Sequence, residues 1–245
     1  MRLPLSSAIA KRLDLLEETS STNTVLADRA RAGGEPEFSV VATTNQTAGK
    51  GRLGRTWTAP PGKTIAVSVL LSPPDSASLP WLPLVAGLAM TRAVRSLVTG
   101  HRVTLKWPND VQVDGLKVSG LLAELVPGAG VVMGAGLNLT MDQDELPTPV
   151  STSLTLVGAS PVDLVDRALA AYLGELQAVY GALLDGSDVR AQVEAECSTI
   201  GRSVRVELPG GDNLYGTATG LDESGRLIVD GRAVAAGDVT HLRYE

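Results

Sequence analysis

An α+β fold, with one main core followed by a small β-rich unit, is what the sequence predicts, and three observations carry that reading. Segments apolar at helical spacing stand at 82–98 and 161–184, apart from runs rich in β-branched residues. Four short β-type runs between 103 and 137 are separated by Asp-Gly or Pro-Gly, the pattern of successive hairpins. From about Ile200 the texture changes to five short β-like pieces with glycines between them, which predicts a strongly bent SH3-like β barrel. A chain of 245 residues suits one large core plus a satellite, and the boundary is predicted at 198/199, giving domains 1–198 and 199–245.

In chain order, Ser21-Thr22-Asn23 precedes a helix-forming stretch that ends at Gly33-Gly34, so a helix capped by Ser21 or Thr22 is expected. Phe38–Thr43 and Thr64–Leu71 are predicted strands bracketing a long glycine-rich loop. Leu82 to Val98 predicts a helix with one buried face. The hairpin series follows with Val103–Trp107, Val111–Val113, Val118–Val126 and Val131–Leu137. Helices return over Pro161–Leu184 and Val189–Cys197. The C-terminal pieces are Ser203–Leu208, Leu214–Leu221, Arg226–Val229, Arg232–Ala235 and Val239–Leu242, with Gly210-Gly211, Gly225, Gly231 and Gly237 in the turns. The Asp, Pro and Met content of Thr140–Thr152 fits a segment that orders over a ligand.

Composition excludes several classes. The net charge of −6, with both signs interspersed, gives no basic face for nucleic acid or an anionic membrane, so any positive site is local. A single cysteine, Cys197, excludes an internal disulfide and a multi-cysteine zinc site, and two histidines leave little for a metal centre. Cys197 reads as a small, partly buried apolar residue, and His101 and His241 as structural or surface residues. No signal segment and no membrane-spanning run is present, so a cytoplasmic protein is expected.

Three constellations carry chemistry. Gly49-Lys50-Gly51-Arg52-Leu53-Gly54-Arg55-Thr56-Trp57 packs cations and glycines together, which suits a phosphate and equally suits a solvated basic turn. It nearly matches a P-loop, but Trp57-Thr-Ala-Pro60-Pro61 forbids the helix such a loop needs. Lys106-Trp-Pro-Asn-Asp110 makes a turn able to direct Lys106, Asn109 and Asp110 inward, and Asp114-Gly115 returns the chain with Lys117. That lysine is either a cation aimed at an anion or an exposed hairpin residue. Gly134-Ala-Gly136-Leu-Asn138 lets a ligand press on the backbone or a neighbouring strand pack closely; it is not a dinucleotide fingerprint, since Leu139 stands where a small residue is required.

Taken in order along nearly the whole chain, Ser21-Thr22-Asn23, the Gly49–Trp57 loop, Lys106-Trp-Pro-Asn-Asp110 with Lys117, Gly134–Asn138 and a small β barrel closely resemble the biotin protein ligases. The resemblance implies a class II synthetase-like catalytic fold, a mixed sheet with helices on one face, and a two-step reaction. Biotin's carboxylate attacks the α-phosphate of Mg-ATP to give biotinoyl-AMP and pyrophosphate, and a lysine of a biotin carboxyl carrier protein then takes the acyl group. It implies biotin contacts at Ser21, Thr22, Asn23, Gln46, Gly49, Lys50, Gly51, Arg52, Lys117, Gly120, Gly134 and Gly136. Nucleotide contacts are implied at Arg52, Arg55, Trp57, Asn109, Lys117 and Asn138, with Lys117 and Arg52 catalytic. ATP and Mg2+ are the implied cofactors, with no protein metal site. The family has arginine where this chain has Lys50, which keeps the charge and loses the bidentate fork. Because the resemblance starts before Ser21, a ligase without an N-terminal DNA-binding module is expected, with no nucleic-acid or membrane partner. Monomer and homodimer both stay open. A lipoate–protein ligase is the enzymatic alternative and a biotin-dependent transcriptional regulator the other.

Overall fold

A computed structural model describes residues 1–208, 211–235 and 237–242, apart from the side chain of Leu53. Gly210, expected in a turn, and the last three residues of the expected C-terminal unit lie outside the described residues. The chain runs α1 (Pro4–Ser7), β1 (Arg12–Leu16), α2 (Thr22–Ala32), β2 (Ser39–Thr43), β3 (Gly49–Lys50), β4 (Thr56–Trp57), β5 (Thr64–Leu71) and α3 (Leu82–Leu97). It continues through β6 (Val103–Lys106), β7 (Asp110–Val113), β8 (Leu116–Val126), β9 (Gly130–Asn138), α4 (Leu164–Leu184) and α5 (Val189–Glu196). The last strands are β10 (Ser203–Glu207), β11 (Asn213–Leu221), β12 (Leu227–Val229), β13 (Arg232–Val234) and β14 (Asp238–His241).

The expected elements form close to their predicted bounds, and α1, β1, β3 and β4 are additional. Short pieces without a strong apolar period depend on what they pack against, and β1 forms by pairing in parallel with β2. α1 is held from afar: the Asp166 carboxylate of α4 accepts hydrogen bonds from Leu5 N at 2.9 Å, Ser6 N at 2.9 Å and Ser6 Oγ at 2.7 Å. Burial alone would push that carboxyl up, and these three donors outweigh it, holding the group below its ordinary value.

Seven strands form one mixed sheet in the order β1-β2-β5-β9-β8-β7-β6, parallel only at β1–β2. Alternation along the strands sorts residues between two faces. Val40, Ala42, Val67, Val69, Met133, Ala135, Leu105, Val111 and Val113 join α3 and α4 in the large core. Val41, Leu70, Val126 and Val132 pack instead against Leu26, Ala27 and Ala30 of α2. So α3 and α4 cover one face, and α2 alone covers part of the other. Ser21 begins α2 by accepting from Thr24 N, and Gly33, at φ 85°, ends it.

The C-terminal strands form a five-stranded antiparallel sheet, β13-β12-β11-β10-β14, with a bulge in β11 between Ala218 and Gly220. Its Val204, Val206 and Ala218 share the large core. Trp107 Nε1 donates to Gly225 O at 3.2 Å, Trp81 Nε1 to Glu223 O at 2.9 Å, and Leu221 N to Glu194 Oε1 at 2.7 Å. Buried tryptophans whose N–H groups are satisfied across the junction fix the orientation of the two parts. Cys197, 7% exposed, bridges to Leu105 beside that junction. Among the described residues no helix is long and apolar enough to cross a membrane.

His241 is a titratable group at the junction. His241 Nε2 lies 3.2 Å from Thr199 Oγ1, which also accepts from Trp107 N at 3.1 Å. Thr199 Oγ1 can donate its proton to a neutral imidazole while it accepts from Trp107 N. Burial, with Lys106 and Arg202 nearby, pushes its pKa down to about 4. A folded-state pKa below the unfolded one means that the unfolded chain binds the proton more tightly, so stability is full above the unfolded pKa and falls with acidification. The melting temperature is expected to decline between about pH 6.5 and pH 4, and His241→Gln is expected to flatten that part of the profile in a differential-scanning measurement. Profiles of identical slope would remove His241 from the acid limb.

Candidate active site

β8 carries an irregularity that sets the site. Against β7, Asp110 pairs with Gly120 and Val111 with Ser119, but Gln112 then pairs with Lys117, leaving Val118 as the extra residue of a bulge. In an unbroken ladder Lys117, three residues from Gly120, would face the opposite side of the sheet. The bulge sends Val118 into the large core and returns Lys117 to the same face as Gly120. The backbone of Lys117 is pinned there, with its N donating to Val150 O at 2.8 Å and its O accepting from Thr152 N at 2.8 Å. This ties the 140–152 segment directly to the lysine.

On that face, register pairing aligns Ala66 of β5, Gly136 of β9, Gly120 of β8, Asp110 of β7 and Lys106 of β6 in one row. A parallel row holds Ser68, Gly134 and Leu122. The middle of both rows is glycine, so the floor of the cleft is bare backbone. A Cβ at Gly134 would lie 2.9 Å from Asn23 Cγ, and one at Gly136 would lie 2.5 Å from Trp57 Cε2. The first residues of α2 form one wall, the 49–57 loop covers the row, and Asp110 and Lys117 stand at the far end.

The α2 wall is a buried polar network. Ser68 Oγ lies 2.6 Å from Asn23 Oδ1 and 2.8 Å from Thr22 Oγ1. Gln46 Oε1 accepts from Thr22 N at 2.9 Å, and Asn23 Nδ2 donates to Leu122 O at 3.4 Å. Such a set, at the N-terminus of a helix and mostly buried, matches a polar group with both donors and acceptors.

The other end is ionic. Lys117 Nζ sits 2.6 Å from Asp110 Oδ1 and 5.8 Å from the centroid of the Trp57 ring. Arg52 Nη1 donates to Asn109 Oδ1 at 3.0 Å, and Arg55 pairs with Asp238 of the C-terminal sheet. Burial lowers the pKa of Arg52, while Asp238 and Asp110 pull it back up and Arg55 lowers it. Guanidinium stays charged under any such shift, so the cleft holds a permanent, partly desolvated cation beside Lys117. The loop itself is a small ladder, Gly49 against Trp57 and Lys50 against Thr56, closed by Gly51 N to Arg55 O at 2.7 Å, with no helix after it.

Most expected site residues converge here. Ser21, Thr22, Asn23, Gln46, Lys50, Gly51, Arg52, Arg55, Trp57, Asn109, Lys117, Gly120, Gly134 and Gly136 all line the cleft. Lys50 donates to Thr24 Oγ1 at 3.1 Å and so leans toward α2. Gly49 lies behind the wall, where a Cβ would meet Gln46 Nε2 at 2.6 Å. Asn138 does not line the cleft. Its Nδ2 donates to Thr152 O at 2.9 Å, and its buried Oδ1 has no partner among the described residues. Ser68 and Asp238 carry no mark of a site in the sequence, whereas the Lys106–Asp110 turn already directs Asp110 inward. Ser68 was hidden inside a uniformly apolar-looking strand, and Asp238 belongs to a different sheet.

A bare glycine floor with a donor–acceptor network at one end and cations at the other can seat an extended ligand with a polar head and an anionic tail. The biotin/lipoate A/B protein ligase family profile matches residues 15–138, which hold this whole scaffold, and the biotin protein ligase C terminal domain matches residues 199–242. The biotin–[acetyl-CoA-carboxylase] ligase of Mycobacterium tuberculosis is 40% identical over 242 residues, 95% of this chain and 90% of that protein. The enzyme of the same name from Paracoccus denitrificans is 31% identical, over 89% of this chain and 94% of its own. Biotin protein ligase from Aquifex aeolicus, solved in complex with biotin and ATP, superposes with a TM-score of 0.74 at 26% identity, covering 96% of this chain and 100% of that one. The chain belongs to the biotin/lipoate A/B protein ligase family, and within it to the ATP-dependent biotin protein ligases.

Gly136→Ala tests the floor. The added methyl group is expected to push the Trp57 indole off residue 136 and shift tryptophan emission to the red while far-UV circular dichroism is unchanged. An unaltered emission spectrum would show that the indole does not rest there.

Proposed function

We propose that this protein activates biotin with ATP to biotinoyl-AMP and pyrophosphate, then transfers biotin to a specific lysine of the biotin carboxyl carrier protein of acetyl-CoA carboxylase or a related carboxylase. The observation that carries this reading is the bare Gly136–Gly120 floor, running from the Thr22–Asn23–Ser68–Gln46 network to Lys117. A ureido ring offers one carbonyl acceptor and two N–H donors, and the network offers hydroxyl and amide groups of both kinds. The acyl chain then lies over the glycines, which brings the carboxylate to Lys117 and Arg52. In this reading residues 1–198 form the catalytic domain and 199–245 the C-terminal SH3-like domain.

A carboxylate attacking a phosphate brings two anions together, so catalysis consists mostly of positioning and charge stabilisation. Lys117 gives up Asp110 for the carboxylate and the α-phosphate, and its ammonium donates to the oxygens on which negative charge builds. Arg52, held by Asn109, approaches from the loop side, and Arg55 and Trp57 take the nucleotide. In the second step the carrier lysine attacks the acyl carbonyl and AMP departs. Asp110 and Asp238, the carboxylates that line the cleft, would hold a Mg2+ ion bound with ATP, and such an ion would supply charge neutralisation to the phosphates.

The lipoate alternative fares worse on the same network. A dithiolane has no donor or carbonyl for Thr22, Asn23, Ser68 and Gln46, and a buried polar set left unpaired penalises the wrong substrate. Incubating a carrier domain with this protein, Mg-ATP and either biotin or lipoate, then measuring intact mass, is expected to give a shift with biotin and none with lipoate. A shift with lipoate alone would sink the proposal. Lys117→Ala is expected to lower adenylate formation by about 10²–10³-fold with the melting temperature nearly unchanged. Near-normal pyrophosphate release by that variant would remove Lys117 from its assigned role.

A further inference from the structure

Lys106 ends the register row that begins at Ala66 and runs through Gly136, Gly120 and Asp110. Its neighbours in β6, Val103 and Leu105, enter the large core, so Lys106 is on the cleft side of the sheet. Strands stand about 4.8 Å apart, which places its Cα roughly 10 Å beyond Gly120 along the row. The side chain is half-buried, and among the described residues it forms no ion pair. Both carboxylates near it are already engaged: Asp110 with Lys117 at 2.6 Å, and Asp238 with Arg55. Lys117 and His241 are the other titratable groups whose fields meet that of Lys106. Burial lowers its pKa, Asp110 raises it, Lys117 lowers it and Asp238 raises it. A partly desolvated ammonium whose neighbouring carboxylates are engaged elsewhere is costly unless an anion arrives.

The proposed reaction supplies that anion. In phosphoryl chemistry the attacking and leaving oxygens stand roughly in line across the phosphorus. The α2 network puts the acid's head over β5 and β9 and its carboxylate near Lys117 on β8, so the group opposite the attack leaves toward β7 and β6. We propose that Lys106 binds the β- and γ-phosphates of ATP and holds the departing pyrophosphate, the bond to the bridging α–β oxygen breaking as the carboxylate oxygen bonds to the α-phosphorus. Lys117 and Arg52 serve the α-phosphate, and Lys106 serves the two phosphates that leave. The inference rests on the adenylation reading above.

The test separates the half-reactions in Lys106→Met and Lys106→Arg, using the full chain. Lys106→Met is expected to raise the KM for ATP, and the KM for inorganic pyrophosphate in the reverse reaction, by about tenfold or more, the loss of one charge-assisted contact. Biotin affinity, the inhibition constant of AMP and transfer from supplied biotinoyl-AMP to the carrier are expected to stay within about twofold, with Lys106→Arg recovering most of the pyrophosphate affinity. An unchanged KM for pyrophosphate overturns the inference. Equal losses in adenylate transfer and AMP binding also overturn it, because they mean that Lys106 only supports Asp110 or the junction. Failure of the adenylation reading itself is seen separately, as wild-type protein that forms no adenylate from biotin and ATP.

Discussion

One extra residue in β8 governs the site. With Val118 bulged into the core, Gly120 and Lys117 share a face although three residues separate them. Without the bulge, either the lysine or the bare glycine backbone would turn away from the cleft, because successive side chains alternate across a strand. The bulge is held from both sides: β9 pairs with β8 from Ser119 onward, and the 150–152 segment hydrogen-bonds both backbone groups of Lys117. Lys117 is therefore placed by main-chain pairing, which is stiff, while its long side chain reaches Asp110.

The remaining features serve the same geometry. Glycines at 120, 134 and 136 clear the floor, and Trp57 rests on what they clear. α2, alone on its face, brings a capped helix start and the Thr22–Asn23 pair to Ser68. The C-terminal sheet is part of the site as well as a neighbour: Asp238 reaches Arg55, and Trp107, beside the Lys106–Asp110 turn, donates to Gly225. Asp110 and Asp238 keep the cationic end from carrying unopposed charge.

Much of the fold was legible because its signals are local. The periodicity of Leu82–Leu97, the Ser21 cap with Gly33, and the Asp114-Gly115 turn depend on residues close in sequence, and each formed as expected. β1 and α1 were not legible, since pairing with β2 and the Asp166 carboxylate create them from a distance. Within the site, the cationic loop and the glycines announced themselves by composition. Ser68 and Asp238 did not, because a serine in a buried strand and an aspartate in a separate sheet have no local mark. Asn138, grouped by sequence with Gly134 and Gly136, instead holds Thr152.

The sequence by itself determined which side chains were on offer: a lone lysine after an unusual turn, a loop of cations that no helix follows, glycines at alternate positions, and a polar triplet before a helix. Only the tertiary structure decided how they meet. Register across five strands put Ala66, Gly136, Gly120, Asp110 and Lys106 in line, and a bulge chose the face for Lys117. The physical reason is that strand register and bulge position come from pairing between segments far apart in the chain. A one-residue slip reverses every side chain, and nothing within a single strand specifies it.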